Sequence, residues 1–160
     1  MNSDNKHFLI EGTIFVSTKE CTVMTILGSC VAVCLWDPIL KIGGMNHYLL
    51  ALWNGNGLAT PRYGNIAIPK LINKIMSLGS SKKNMRAKVF GGANVLSISN
   101  NGVRGAGLSN IILAEEMLKE EGIPIIASDL GGNYGRKIRF NTKNGVVMLK
   151  RLTKQIGKIQ

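Results

Sequence analysis

One thiol and one imidazole in this 160-residue chain have a spacing that could bring them together. Cys30 begins an apolar run of seven residues, and His47 lies in the next apolar run, beyond an Asp-Pro turn signal. If the two runs form an antiparallel hairpin in which Trp36 pairs with Lys41, Cys30 lies directly opposite His47, with Cβ atoms about 5 Å apart. The spacing therefore predicts a thiol–imidazole pair on one face of a hairpin.

A thiol beside an imidazole is the basic unit of a cysteine nucleophile, because the imidazole takes the proton and the thiolate attacks a carbonyl carbon. Gly28 and Ser29 come just before Cys30. A glycine there allows a sharp turn, and the backbone N–H groups of Ser29 and Cys30 could hold a developing oxyanion. A cysteine in an apolar strand is usually part of the core, so a purely structural Cys30 is the alternative from residue types alone.

The other reactive side chains give weaker indications. Cys34 lies on the same strand face as Cys30, inside the apolar run, which predicts a core position, and Cys21 has no histidine near it in sequence. His7 belongs to a polar amino-terminal arm and is expected in solvent. Asp129 follows a predicted strand and precedes two glycines, which is typical of a turn and leaves a role in a site as the alternative.

Metal and phosphate sites are not predicted. Three cysteines and two histidines contain no C-x₂-C or H-x₃-H pair, and two cysteines four residues apart on one strand give poor zinc geometry. The glycine-rich stretch 102–107 lacks both the Walker lysine and the dinucleotide-binding spacing. An odd number of cysteines in a chain too large to need disulfides predicts free thiols in a reducing compartment.

The composition predicts one globular domain over residues 1–160. Apolar residues make up 45% and charged residues 18%, which excludes wholesale disorder. The net charge of +11 suits acidic partners, although the basic residues of the last quarter alternate with apolar ones, as on the wet face of strands. Residues 1–7 are polar, unlike a signal peptide, and the densest apolar stretch, Val23–Trp36, falls short of the ~20 residues of a membrane span.

Several strands and two helices must position these residues. Apolar residues at spacings of three and four predict a helix over 68–76, with Pro69 in its first turn and Gly79 at its end. A second helix is expected from Ser109, as N-cap, to Gly122. The predicted strands are Phe8–Val16, Val23–Leu27, Cys30–Trp36, Ile42–Leu50, Ala87–Phe90, Ile123–Ala127 and a closing hairpin of Lys137–Asn141 and Val146–Leu152. The pattern favours an α/β domain with mixed strand pairing.

Two motifs stand out by their sequence and spacing, the stretches 25–38 (TILGSCVAVCLWDP) and 43–50 (GGMNHYLL). Together they resemble the CheD family of bacterial chemotaxis proteins, which deamidate glutamines on chemoreceptors. The resemblance continues through 90–94 (FGGAN), 128–132 (SDLGG) and 135–140 (GRKIRF), and so covers nearly the whole chain.

The resemblance implies a single-domain, mixed-sheet α/β sandwich with two main helices, similar to the catalytic domain of the cytotoxic necrotizing factor toxins. It implies a protein-glutamine glutaminase, a hydrolase that needs neither cofactor nor metal. Cys30 is then the nucleophile, His47 the general base, and backbone N–H groups near Ser29 hold the oxyanion. Chemoreceptors are the implied substrate and a CheC-type phosphatase the implied partner. We expect a cytoplasmic monomer with no nucleic-acid binding and no membrane insertion.

The third member of the implied site departs from the family pattern. Met24 occupies the position six before Cys30, where a threonine is expected, and Thr25 is the nearest candidate. Because side chains alternate along a strand, this one-residue shift could turn Thr25 away from the site. The stretch 101–105 (NGVRG) also departs from the family's IG-x-RN segment.

Three other functions compete with deamidation. One is a non-catalytic adaptor that binds a CheC-type phosphatase, and a second is a cysteine peptidase or other amidase with the same dyad. The third is a basic nucleic-acid-binding domain, which the near-absence of arginine and aromatic clusters disfavours.

Overall fold

A computed structural model describes residues 5–94 and 105–152, in which nine β-strands, two α-helices and one short 3₁₀-helix are formed. The strands are β1 (Lys6–Phe8), β2 (Ile14–Ser17), β3 (Thr22–Leu27), β4 (Val31–Asp37), β5 (Ile42–Asn46), β6 (Arg86–Gly91), β7 (Ile125–Leu130), β8 (Gly135–Asn141) and β9 (Val147–Leu152). The helices are α1 (Gly64–Ser77), the 3₁₀-helix Lys82–Asn84, and α2 (Ala106–Glu120). The predicted mixed α/β class with two main helices is confirmed.

Two mixed sheets and a helical layer stack on one another. One sheet has the order β1-β3-β8-β9 and the other β2-β5-β4-β6-β7. Within them, β1 pairs parallel with β3 and β6 parallel with β7, and the other pairs are antiparallel. Val23 and Phe140 of the first sheet share a core with Cys34 and Met45 of the second.

The two helices cover the opposite face of the five-stranded sheet, where Leu71 of α1 and Leu118 of α2 pack with Val33 and Val89. The single domain over 1–160 and the likeness to the toxin catalytic domain stay predictions.

The helices begin earlier than their sequence signals suggested. The apolar face of α1 is buried as predicted, but the helix starts at Gly64, so Pro69 lies in its second turn instead of its first. Helix α2 starts at Ala106 with Gly105 as its N-cap, so Ser109 lies inside it. Gly107, in the first turn of α2, sits against the carbonyl groups of Gly92 and Ala93, just after β6, where a Cβ atom would collide with them. The predicted loop over 97–107 is wrong at its end, because 106 and 107 belong to α2. The rest of that loop up to residue 104, with the first four residues of its NGVRG departure, lies outside the described residues.

The predicted first strand, Phe8–Val16, is wrong. The segment forms two strands in different sheets, separated by a tight turn in which the Thr13 N–H donates to the Ile10 carbonyl over 3.2 Å. Gly12 has a φ of +81°, the left-handed region that only glycine enters freely. This turn carries the chain from one sheet to the other.

The predicted register of the central hairpin is shifted by two residues. Trp36 pairs with Gly43 instead of Lys41. The cause is Asp37, whose carboxylate accepts the N–H groups of Ile39 and Leu40 and whose carbonyl accepts that of Lys41. Asp37 is therefore the last paired residue and the loop begins after it. A shift of two keeps every side chain on its predicted face, although Cys30 no longer lies directly opposite His47.

One basic residue of the last quarter contradicts the expectation of a wet strand face. The side chain of Arg136 is fully buried and its guanidinium donates to the Asp129 carboxylate at 2.9 and 3.1 Å and to the Gly131 carbonyl at 2.7 Å. Arg151 holds the second Asp129 oxygen, so Asp129 joins the carboxyl end of β7 to the hairpin of β8 and β9. Within the described ranges, no helix is both long and apolar enough to cross a membrane.

Candidate active site

Three of the predicted site residues meet at one end of the sandwich, where the two sheets come together. Thr25 lies on the buried face of β3, in the four-stranded sheet. Cys30 comes just before β4 and His47 just after β5, in the five-stranded sheet. The Cys30 sulfur and a ring nitrogen of His47 lie within 4.8 Å of each other. The site thus joins one residue from the first sheet to two from the second.

A local interruption of the β4–β5 ladder brings the thiol and the imidazole together despite the shifted register. The ladder runs as far as the Cys34–Met45 pair and resumes in an isolated bridge of Val31 with Tyr48. Between these points the Asn46 side chain accepts the Val33 N–H over 2.9 Å, in place of a backbone partner. The two side chains therefore meet diagonally, not as directly opposed residues.

Thr25 faces His47 and determines which ring nitrogen carries the proton. Its hydroxyl lies 2.7 Å from His47 Nδ1 and donates its hydrogen to the Leu9 carbonyl over 2.9 Å. A hydroxyl has one hydrogen, so toward the imidazole it accepts, and Nδ1 must be the protonated nitrogen. The one-residue shift therefore does not turn Thr25 away from the site. Met24 is the side chain that points away from the core, into an open groove on the outer side of the sheet.

The second ring nitrogen of His47 is free to act as a base. Nε2 is buried and has no hydrogen-bond partner among the described residues. Burial lowers the pKa of His47 to about 4, with the Glu11 carboxylate acting in the opposite direction. Burial, followed by the Glu11 carboxylate, raises the pKa of Cys30 to about 11, although its own N–H and Arg62 oppose the rise. Near neutral pH the pair therefore rests as a thiol and a neutral imidazole.

Hydrogen bonds to three successive carbonyl groups hold the backbone around Cys30 in place. The carbonyl of Gly28 accepts the Ala93 N–H and that of Cys30 accepts the Gly92 N–H, at 2.9 and 2.8 Å. The Ser29 carbonyl accepts from the buried Asn110 side chain at 3.0 Å. Because the N–H of a peptide points opposite to its carbonyl, these three contacts orient the N–H groups that follow them. In the described part of the chain, the amides of Ser29 and Cys30 donate to no other residue.

Three residues of this region escaped the sequence analysis. Glu11 is brought beside Cys30 and His47 because the Gly12 N–H donates to the His47 carbonyl over 2.8 Å. Asn110 holds the carbonyls of both Ser29 and Leu49 from helix α2. Arg62, in the loop before α1, carries a positive charge that opposes the rise that burial causes in the pKa of the Cys30 thiol. A Glu-Gly pair signals a turn, but nothing local in the sequence links any of the three to the site.

The remaining reactive side chains lie elsewhere. Cys34 is buried in the core between the sheets, as predicted, and burial raises the pKa of its thiol far above the ordinary value. Cys21 is also buried, and all three cysteines are free thiols. His7, expected in solvent, stacks on Phe15 with ring centroids 4.2 Å apart and is half-buried. Asp129 lies inside β7, so the turn expected at this residue is wrong, and its carboxylate makes the ion pairs already described.

The fold and this arrangement define a class of protein. It is an α/β sandwich in which an imidazole lies between a thiol and a hydroxyl at the edge where the two sheets meet. The family model described as CheD chemotactic sensory transduction matches residues 52–151. The chain belongs to the CheD family.

Curated relatives extend the match to the site. A protein from Trichlorobacter lovleyi is 52% identical over 146 residues, covering 91% of this chain and 90% of the relative. One from Sulfurimonas denitrificans is 47% identical, covering 93% and 96%. Both are named probable chemoreceptor glutamine deamidase CheD. An alignment over 146 of the 160 residues must run through the middle of the chain, and so it includes Thr25, Cys30 and His47.

Proposed function

We propose that this chain deamidates glutamine side chains of methyl-accepting chemoreceptors, with Cys30 as the nucleophile and His47 as the general base. The observation that carries the proposal is the approach of thiol and imidazole within 4.8 Å, beside a buried and unpartnered Nε2. The printed names of the relatives supply the substrate class. A location in the cytoplasm and a monomeric state belong to the same proposal.

The first half of the reaction forms a thioester. His47 Nε2 takes the Cys30 proton as the sulfur attacks the glutamine Cδ, and the carbonyl oxygen gains the negative charge. The N–H groups of Ser29 and Cys30 stabilise this oxyanion. Hydrogen bonds to the carbonyl groups of the same two peptides already fix their orientation. The protonated imidazole then gives its proton to the leaving amino group. Ammonia departs, and the acyl group stays on sulfur.

The second half returns the enzyme to its starting state. His47 takes a proton from water, the hydroxide oxygen attacks the thioester carbon, and the sulfur leaves with the proton from the imidazole. The sum is glutamine plus water to glutamate plus ammonia. Thr25 keeps the proton on Nδ1 throughout, so that Nε2 remains the atom that exchanges protons. Arg62 carries a positive charge near the thiol and favours the thiolate as it forms.

The test is incubation with the cytoplasmic fragment of a chemoreceptor, followed by mass spectrometry of the fragment. Deamidation raises the mass at glutamine sites by the difference between a hydroxyl and an amino group. A peptidase would cut the fragment, and an adaptor for a CheC-type phosphatase would leave it unchanged. Either of the last two results contradicts the proposal.

Matched cysteine variants identify the nucleophile. Cys30→Ala is expected to abolish deamidation with its circular dichroism unchanged, because the chemistry needs a thiolate. Cys34→Ala removes the buried thiol four residues away and should keep most of the activity, at a cost of about 1 kcal/mol or more in the free energy of unfolding. Substantial activity in a folded Cys30→Ala protein would remove Cys30 from its role.

A further inference from the structure

A third potential metal ligand lies beside the thiol and the imidazole. Glu11 offers a carboxylate oxygen, Cys30 a sulfur and His47 a ring nitrogen, and these three atoms all lie within 4.8 Å of one another. They come from three separate segments: the turn after β1, the start of β4 and the end of β5. The backbone contact from Gly12 to the His47 carbonyl keeps the glutamate turn at this place.

The residues around His47 leave one of its ring nitrogens free to bind a metal ion. Thr25 accepts the hydrogen of Nδ1, which leaves the lone pair on Nε2. A metal-bound histidine in proteins usually has its other nitrogen engaged in this way. His47 is only 4% exposed, and its Nε2 has no partner among the described residues. The cluster of three potential ligands is one observation that points to a bound ion. The buried lone pair of Nε2, which has no partner among the described residues, is a second.

From this geometry we propose that Glu11, Cys30 and His47 form a binding site for a zinc ion, which switches off the proposed dyad while it is bound. Binding needs only these three groups. The inhibitory consequence rests on the proposed function.

The donor set favours zinc over magnesium and calcium. Zinc takes one sulfur, one nitrogen and one oxygen ligand in tetrahedral sites, with bonds of about 2.0–2.3 Å, which sets the ligand atoms roughly 3.3–3.7 Å apart. The present separations are therefore about 1.5 Å too long at most, and Glu11 lies on an exposed turn that can supply the movement of its own carboxylate. Mg²⁺ and Ca²⁺ prefer oxygen ligands and gain little from a sulfur.

The charges also balance. The Cys30 thiol loses its proton to solvent as the zinc–sulfur bond forms, and the thiolate and the Glu11 carboxylate together neutralise the two charges of zinc. The fourth tetrahedral position is left for water, as in zinc sites with three protein ligands. Zinc then occupies both the sulfur that attacks and the nitrogen that takes the proton, so substrate cannot react.

Cobalt is the direct probe of this site, because a thiolate bound to Co²⁺ gives a charge-transfer band and four-coordinate Co²⁺ gives strong visible bands. The full chain should bind one Co²⁺ with both signals, and added Zn²⁺ should displace it. Mg²⁺ should not. Cys30→Ala should lose the charge-transfer band and Cys34→Ala should keep it. A wild-type protein that shows no charge-transfer band would overturn the proposal.

The glutamate is tested by charge-matched variants. Glu11→Gln should weaken zinc binding at least about 10–100-fold. Losses of this size follow even the removal of a residue that only hydrogen-bonds to a metal ligand. Glu116→Gln removes the same charge from the exposed side of α2 and should bind zinc as the wild type does. Equal affinity in Glu11→Gln and the wild type would remove Glu11 from the site and contradict the three-ligand proposal.

Inhibition is measured separately from binding. Zinc should stop deamidation by the wild type, and a chelator should restore it. If Co²⁺ and Zn²⁺ bind as expected but the receptor fragment is never deamidated, the proposed function fails and the metal site stands. If deamidation proceeds with zinc bound at saturation, the inhibitory role is wrong.

Discussion

Thr25 contributes a single hydroxyl that accepts from His47 Nδ1 and donates to Leu9. Thr25→Val keeps the shape of the side chain and removes both hydrogen bonds. We expect kcat for deamidation to fall at least about tenfold, because the imidazole loses the partner that fixes its tautomer. Thr22→Val, on the opposite face of the same strand, is the control and should leave kcat unchanged. If both variants match the wild type, Thr25 has no part in the reaction.

The buried imidazole should also make the stability of the fold depend on pH. The pKa of His47 is about 4 in the folded protein and about 6.5 in the unfolded chain. Between these values the unfolded chain binds the proton and the folded protein does not, so unfolding becomes easier as the pH falls. The loss of unfolding free energy from this group begins near pH 6.5, reaches about 2 kcal/mol at pH 5 and is complete below pH 4.

Urea denaturation at pH 7.5 and pH 5 measures this effect. His47→Gln cannot take up the proton, so its stability should fall by less than that of the wild type between the two pH values. His7→Gln, which changes the other histidine of the chain, is measured beside it as the matched control. Equal losses in His47→Gln and the wild type would mean that burial does not hold His47 neutral.

At the scale of the elements, helix α2 reaches the site through one side chain. Asn110 is fully buried and donates to the carbonyls of Ser29 and Leu49, at 3.0 and 2.9 Å. Asn110→Ala should lower kcat more than it changes KM, because the Cys30 N–H loses the contact that orients its peptide. Asn141→Ala removes an amide that accepts from Lys143 in the β8–β9 turn, and it should cost stability without lowering kcat. Equal kcat values in the two variants would argue against an orienting role for Asn110.

The end of β6 approaches the Cys30 backbone too closely for a side chain. Gly91 has a φ of +112°, and a Cβ atom there would overlap the Cys30 carbonyl oxygen. Gly91→Ala should therefore lower the free energy of unfolding by about 2–4 kcal/mol. At Gly28 a Cβ atom would meet nothing within 4 Å, so Gly28→Ala should leave stability nearly unchanged. Chemical denaturation compares the two, and similar stabilities would show that the contact at Gly91 is relaxed.

At the scale of the whole molecule, three basic side chains share the outer face of the four-stranded sheet. Lys137 pairs directly with Lys150, and Arg139 lies between Met24 and Met148 of the neighbouring strands. Like charges opposite each other destabilise a sheet. In the described ranges, no ion pair involves these three basic residues. The face therefore suits an acidic partner, whereas Arg136 is buried and takes no part in such an attraction.

If this face guides the receptor to the enzyme, kcat/KM should fall as ionic strength rises from about 50 to about 300 mM, where the Debye length shrinks from about 14 to about 6 Å. The chemical step acts on a neutral amide, so kcat should hardly change. Lys137→Glu should flatten the salt dependence of kcat/KM. Lys74→Glu makes the same charge change on the exposed side of α1 and should not. A wild-type kcat/KM that is constant with salt would exclude electrostatic guidance.

The sequence determined those features that depend on neighbouring residues. The spacing of apolar residues predicted the buried face of α1, and the continuous apolar run predicted β4 and the core position of Cys34. The closing hairpin was predicted as well, and it contains an Asn-Gly pair at 144–145, which favours such turns and in which Gly145 has a φ of +76°. Cys30 and His47 were candidates for the same reason, since a hairpin in the predicted register, or one shifted by two residues, leaves them direct or diagonal neighbours on one face.

Only the tertiary structure decided what surrounds that pair. Whether Thr25 faces the site is open until the packing of β3 on the second sheet shows that Thr25 is buried and Met24 is not. Glu11 and Asn110 reach the site from segments far away in the chain, and Arg136 is buried because Asp129 of another strand meets its charge. Local patterns report whether a residue is buried and how the chain turns. Which distant side chains meet depends on how two sheets and a helical layer pack together, and no short stretch of sequence carries that information.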